Sequence, residues 1–415
     1  MLRLSEEAPA RLPAELTITD ECALTARPAD DFRVEPLVRE GDLLQQGAPV
    51  LRSRREPDVM VTAPVPGRVA EITLGPGHRL SSIKFFHEPG AGRRQFDPTG
   101  AEDDSDRLRA LLLASGLWRR LRSRPYGRVP PVAEDPSAIF VMAIDTRPLA
   151  PDPRTVLHEV QADFERGLRS LFLLTGGPVF LCQDEGEELV GKPRFSDRLR
   201  VVTDRHVHPH GLPGYQIHAR HPARVGRPVW DIHAEDVAAF GTLLREGLVP
   251  ETRMVAVTGT ALTKPRLVRC QPGADLRALS YTHTVPGPHR ILSGSPLDGE
   301  EARWLRPRDR QVSVMSPVPG NDKGHWFLSA LRLASRPMPL VPNAALEQSM
   351  GQALPVMPFL RALAAGDTET AVRLGALSLL EEDLALADYV SNADPGLARL
   401  LRSLLDRVQA EEEPA

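Results

Sequence analysis

Cysteine is scarce in this chain: Cys22, Cys182 and Cys270 are its three, far apart and with no Cys-x-x-Cys spacing. That excludes a disulfide framework, a zinc-finger site and a cysteine-ligated iron–sulfur cluster. No apolar run approaches the roughly 20 residues a membrane-spanning helix needs. The opening, MLRLSEEAPARLPAE, has no apolar stretch, so no signal peptide is expected there. A surplus of positive charge is missing too. The 51 Lys and Arg stand against 55 Asp and Glu, for a net charge of -4. That balance speaks against nucleic acid as a partner, because its phosphates need neutralising. Lysine is nearly absent: Lys84, Lys192, Lys264 and Lys323 are the full complement.

What is present is a soluble, globular composition, 41% apolar and 26% charged over 415 residues. That length exceeds one ordinary core and predicts two to four domains, as an α/β multidomain protein. The 40 prolines, about twice usual usage, predict many connections of fixed φ. Residues 1–104 read as short strands broken by turns. VREGDLLQQGAPVL (Val38 to Leu51) and VMVTAPVPGRVAEITL carry turn glycines and alternating Val59, Val61, Val65, Val69 and Ile72. The order G-D-x-x-x-x-G, then A-P-x-x-G-x-V, resembles a barrel-sandwich domain of the biotinyl/lipoyl type. A carrier of that type holds its cofactor on a lysine. Between Leu51 and Arg68 the sequence is RSRREPDVMVTAPVPG, with arginines only. An arginine keeps its charge and cannot be acylated in lysine's place. The expectation is the same small fold used for docking.

Residues 105–254 read as a Rossmann-like α/β domain. SDRLRALLLASGLWRRLRS predicts a helix capped by Ser105 or Asp106. SAIFVMAID (Ser137 to Asp145) is a continuous apolar run of buried-strand length. A helix and then a strand ending at Gly176-Gly177 follow, then the strands PVFLC and LRVVTD, the helix DVAAFGTLLREG and the strand RMVAVTG. Residues 255–337 return to short strands (PRLVRC, HRILSGS, RQVSVM), a small β-grasp-like mixed domain. Residues 338–415 form a helical region with Asp caps and leucines at helical spacing.

Motifs for chemistry are few. No G-x-G-x-x-G follows a strand and no G-x-x-x-x-G-K-[ST] occurs, so the α/β layer reads as scaffold and no bound nucleotide or flavin is expected. His206, His208, His210, His218 and His221 crowd RHVHPHGLPGYQIHARH, but Pro209 and Gly211 break any shared face, and a surface loop is expected instead of a metal site. No hydrolase constellation stands out, so no catalytic residue is assigned. RPYGRVPP leaves two readings open. Tyr126 between arginines can hold a quinone or flavin ring, or the prolines can simply pin a crossover.

In order, EGDLLQQG, TAPVPGRVAEI, LLLASGLW, RPYGRVP, SAIFVMAIDTRPLAPDP, HPHGLPGYQIH, VWDIHAEDVAAFG, KPRLVR, RILSGS and GDTETAVRLGALSLLEEDLAL run from Glu40 to Leu386. Together they resemble the NqrA family, one of the subunit types of the sodium-translocating NADH:quinone reductase. The resemblance implies a peripheral member, on the cytoplasmic face of the inner membrane, of a six-subunit translocase that oxidises NADH, reduces ubiquinone and exports sodium. It implies docking on the NqrB membrane protein of that complex, with flavins and iron–sulfur centres in the partner subunits and no cofactor on this chain. It implies a fold similar to the NADH-binding subunit of respiratory complex I and to the RnfC protein of the Rnf complex. For quinone it points to the loop Arg124, Pro125, Tyr126, Gly127 and Arg128. The sequence departs from the family where two cysteines are expected, at Ala387 and Ser391, and along SPVPGNDKGHWFLSAL (Ser316 to Leu331). It also lacks the glycine-rich opening. The departures at Ala387, Ser391 and Ser316 to Leu331 motivate an alternative, a scaffold subunit of another, Rnf-like redox complex.

Overall fold

Four sheets and a C-terminal helical region make up the computed structural model, which describes residues 13–27, 30, 32–191, 195–204, 207–317, 343–351, 354–391 and 396–412. Near the N-terminus, two small antiparallel sheets face one another. One runs in the order Glu21–Thr25, Arg79–His87, Gly67–Gly75, Leu43–Leu44; the other Val34–Pro36, Pro49–Ser53, Met60–Thr62. The alternating valines Val61, Val65 and Val69 meet Ile83 and Phe85 between them, all buried. Gly41 and Gly47 make the expected turns with positive φ. Gly67 does not: it lies inside a strand, where a Cβ would stand 2.1 Å from the Phe86 carbonyl oxygen, so close approach of the neighbouring strand requires it.

The middle of the chain forms a five-stranded sheet in the order Leu199–Asp204, Val179–Asp184, Ile139–Ala143, Val229–His233, Arg122–Arg124. The first four are parallel and the last is an antiparallel edge. Every residue of Ile139–Ala143 is buried, as a central strand covered on both faces must be. The helices Gln161–Leu174 and Ala234–Glu246 cover one face together. They touch through Gly167 and Gly241, where an added Cβ would lie 1.9 Å from Val237 O and 1.8 Å from Asp163 O.

Three local expectations change here. The first helix is capped by Asp104, whose carboxylate accepts from the Asp106 and Arg107 amides, and not by Ser105 or Asp106. Leu171 to Leu174 finish a helix instead of forming a strand, because the leucine stripe of Phe164, Leu168 and Leu171 continues onto the sheet. Gly176-Gly177 therefore follows a helix. A Cβ on Gly177 would stand 2.0 Å from Ser137 O, which accounts for the glycine without any phosphate.

The fourth sheet, a mixed one, orders Glu15–Leu16, Arg266–Cys270, Arg253–Thr258, Gln311–Met315, Arg290–Ser293, Glu300–Glu301. The boundary expected at 254/255 falls inside the strand Arg253–Thr258, which belongs wholly to this sheet. Glu15 and Leu16 pair in parallel with Val268 and Arg269, so the chain visits this sheet before it enters the N-terminal sandwich. Beyond Asn343 the described residues are mostly helical, and Leu360, Leu363, Leu401, Leu404 and Leu405 share one core. The segment from Thr368 to Ser391 is two α-helices separated by short 3-10 turns, broken at Gly375, whose φ is +111°. Of the divergent stretch from Ser316 to Leu331, only Ser316 and Pro317 lie within the described residues.

Candidate functional site

The edge strand Arg122–Arg124 carries its arginines at alternate positions, so both side chains leave one face and reach the same carboxylate, Asp231. Arg124 is fully buried. Its Nε lies 3.1 Å from Asp231 Oδ2, and its Nη1 donates to Asp383 Oδ2 at 3.0 Å and to the Ser378 carbonyl at 2.7 Å. Arg122 binds Asp231 through Nε and Nη2 at 3.0–3.1 Å and Glu382 through Nη1 at 2.6 Å. Asp383 also accepts from the Gly214 and Leu380 amides, and its carbonyl accepts from the Tyr215 hydroxyl at 2.6 Å. Two guanidiniums and three carboxylates thus interlock where the parallel sheet meets the helical region.

The arithmetic of that cluster shows in its protonation. Burial pushes Asp231 and Glu382 up, but the Arg122 and Arg124 guanidiniums outweigh it and hold both carboxyls below their usual range. Asp383 is the third carboxylate against two cations. Burial pushes it up to about 6, with Glu382's charge adding and Arg124 opposing.

The loop after the strand continues the clasp. Gly127 has φ +72°, and a Cβ there would press within 2.8 Å of the Leu380 side chain. The Tyr126 hydroxyl donates to Glu412, its carbonyl accepts from Arg402 Nη1 at 3.0 Å, and Arg128 pairs with Asp406 at 3.1 Å. Arg402 in turn is held by both oxygens of Glu381, at 2.6 and 2.9 Å.

A cleft of about 1560 Å3 opens beside this clasp. Of the five loop residues expected to meet a quinone, Tyr126, Gly127 and Arg128 border it; Arg124 and Pro125 lie buried beneath. Val129, Pro130 and Pro131 continue the same wall, and Arg119, Arg122 and Arg308 add charge. Sequence reasoning missed Asp231, Glu382 and Asp383. The signal was a lone acid inside the apolar strand VWDIH, which cannot be buried without a cation.

The histidines do not converge. Burial, with Arg147 adding to it, pulls His208 down to about 4, so it is neutral, with Nδ1 3.4 Å from the Thr146 hydroxyl. His218 lies against Gly375, and His221 meets Ser137 Oγ at 3.1 Å; His206 lies outside the described residues. Among the described residues no group of three His, Cys, Asp or Glu is placed to hold a metal ion. Also among them, no helix is long and apolar enough to cross a membrane.

A barrel-sandwich, an α/β layer, a mixed sheet and a helical region, the second and last joined by a buried charge clasp, define a multidomain α/β protein. Three family profiles match it in succession: "NqrA N-terminal barrel-sandwich hybrid domain" over residues 4–87, "NqrA second alpha/beta domain" over 103–249 and "NQRA C-terminal domain" over 254–303. Among relatives, the NqrA protein of the Na(+)-translocating NADH-quinone reductase of Actinobacillus pleuropneumoniae serotype 5b (strain L20) is 34% identical over 97% of this chain and 96% of its own length. Its counterpart from Pasteurella multocida (strain Pm70) is 35% identical over 94% of each. The chain belongs to this NqrA family. A crystal structure of an NAD+-reducing [NiFe]-hydrogenase shares 11% identity over 76% of this chain and 64% of that one, with a TM-score of 0.39, too slight to bear on the fold.

Proposed function

We propose that this chain is the peripheral NqrA member of a Na+-translocating NADH-quinone reductase. In that reading it stands on the cytoplasmic face of the inner membrane and docks on the NqrB membrane protein. NADH, flavins and iron–sulfur centres are handled by partner subunits, and this chain holds no redox group itself. Its domains are the barrel-sandwich, a Rossmann-like layer, a β-grasp-like unit that takes in the whole strand Arg253–Thr258, and the helical region. The observation that carries the reading is similarity to proteins of that kind over nearly the whole length of both chains.

Ubiquinone is the substrate nearest this chain, and the cleft beside the RPYGRVP loop is where the two would meet. Tyr126 borders that cleft with its hydroxyl already donated to Glu412, which leaves the ring to pack against a quinone head. Arg128 reaches the same wall and offers donors to a carbonyl oxygen. Arg124, buried under the loop, positions it. Replacing Tyr126 by Ala in the assembled complex is expected to lower ubiquinone-dependent turnover by about tenfold, with NADH oxidation by an artificial acceptor unchanged. Equal loss of both activities would make the loop structural and end this assignment. A second reading, a scaffold subunit of an Rnf-like complex without quinone chemistry, is favoured by Ala387, fully buried where the family carries a cysteine. Mass spectrometry of what co-purifies from gently solubilised membranes separates the two.

A further inference from the structure

The cleft has a second wall that the quinone reading does not use. Residues 119–122 run beside Pro307 and Arg308: Arg120 Nη1 donates to Pro307 O at 2.8 Å and Arg308 Nη2 to Leu121 O at 3.2 Å. That seam brings Arg119 and Arg308 to the border of one cavity. Their neighbours are matched: Arg122 is bound by Asp231 and Glu382, and Arg27 by Asp309. Arg119 and Arg308 make no ion pair among the described residues. Arg119 lies with its guanidinium carbon 4.6 Å from the centre of the Phe32 ring, and its buried Nε has no hydrogen-bond partner among the described residues. Among the described residues the Arg308 guanidinium donates to the Leu121 carbonyl alone. Asp30 is the carboxylate whose charge reaches both, and it is exposed, with Oδ2 already accepting from the Arg27 amide.

A desolvated cation without a counter-charge is costly, and among the described residues two cations with no carboxylate in contact border one cavity. Burial pulls each guanidinium down to about 10, with Arg120 adding at Arg119 and Arg122 adding at Arg308. Guanidinium is also the group best shaped to grip a phosphate with paired N–H donors. A quinone's neutral carbonyls leave that charge unmet. We infer that Arg119 and Arg308 form a binding subsite for a phosphoryl group, filled by a phosphate-bearing molecule whose remainder lies along the cleft. The inference does not depend on which complex the chain joins.

Pyrophosphate is the probe, titrated calorimetrically into the full-length chain. Saturable binding at millimolar or lower concentration is expected, weakening with salt as a charge contact should. The Arg119→Gln/Arg308→Gln double variant is expected to bind about tenfold or more weakly. Arg290→Gln, which removes one charge from an exposed pair with Glu301, is expected to bind as the parent does. No binding by the parent overturns the subsite, and so does equal weakening by Arg290→Gln. If the double variant is poorly folded, each single variant carries the same test, and two singles that bind like the parent overturn it too. Flotation with phosphatidylglycerol and phosphatidylcholine vesicles identifies the source of the phosphoryl group. Phosphatidylglycerol-selective binding that pyrophosphate displaces and the double variant loses means a lipid headgroup; pyrophosphate binding without flotation means a free phosphate compound.

Discussion

Two stretches of arginine lie within six residues of one another and behave in opposite ways. At Arg122 and Arg124 every guanidinium faces carboxylates, and the result is a joint between the parallel sheet and the helical region. At Arg119, and at Arg308 across the seam, the guanidiniums border an open cleft with no carboxylate in contact among the described residues. The residue type is the same; Arg124 is fully buried, and Arg119, Arg122 and Arg308 are partly buried. What separates a structural cation from a binding cation is whether the fold itself supplies the counter-charge.

The comparison breaks most visibly at Arg124. Arg124→Ala strands buried Asp231 and Asp383 without their shared partner and is expected to cost about 3–5 kcal/mol. Urea unfolding measures it, and limited proteolysis should show the helical region released first. A loss below about 1 kcal/mol would mean that the joint is held by its leucines and not its charges.

Asp383 gives a smaller and sharper effect. Its folded-state carboxyl is raised to about 6, so the folded state binds the proton more tightly than the unfolded chain does. The stability it contributes is full below the unfolded pKa and is lost as pH rises toward 6. Asp231 and Glu382 are lowered, so their contribution is present above the unfolded pKa and disappears in acid. An Asp383→Asn variant should therefore gain on the parent as pH rises from about 4 to about 6. Unfolding midpoints of the pair at both ends of that window check it; a difference that stays constant rejects a raised Asp383.

The least effect belongs to Arg128. Its pair with half-exposed Asp406 is screened, and Arg128→Ala is expected to cost under about 1 kcal/mol. Thermal unfolding at low and high salt is the measurement. A larger loss would move Arg128 from the cleft to the joint.

Much of the scaffold was legible because its signals are local. The unbroken apolar run Ile139–Ala143 could only be a covered strand, and Gly41 and Gly47 mark turns that need positive φ. Leu171 to Leu174 misled, since four apolar residues suit a strand and the end of a helix equally; only the stripe they continue on the sheet decides. The joint was hidden for a different reason. Arg124 meets Asp231 107 positions away and Asp383 259 positions away, and no local pattern announces such a pairing. The RPYGRVP loop was found as a site candidate through its tyrosine and prolines, while its main contacts, Arg402, Asp406 and Glu412, lie on the last helix.

The strand Glu15–Leu16 has a consequence for how the molecule is made. Its neighbours Thr19 and Gln271, linked side chain to backbone, are 252 residues apart. A ribosome adding ~5–20 residues per second reaches that partner roughly 10–50 s after Thr19 has been synthesised. Over that interval the sandwich and the parallel sheet can complete themselves, while the first strand stays unpaired. The strand Glu15–Leu16 thus finds its place late, joining the mixed sheet only once the strand Arg266–Cys270 has emerged.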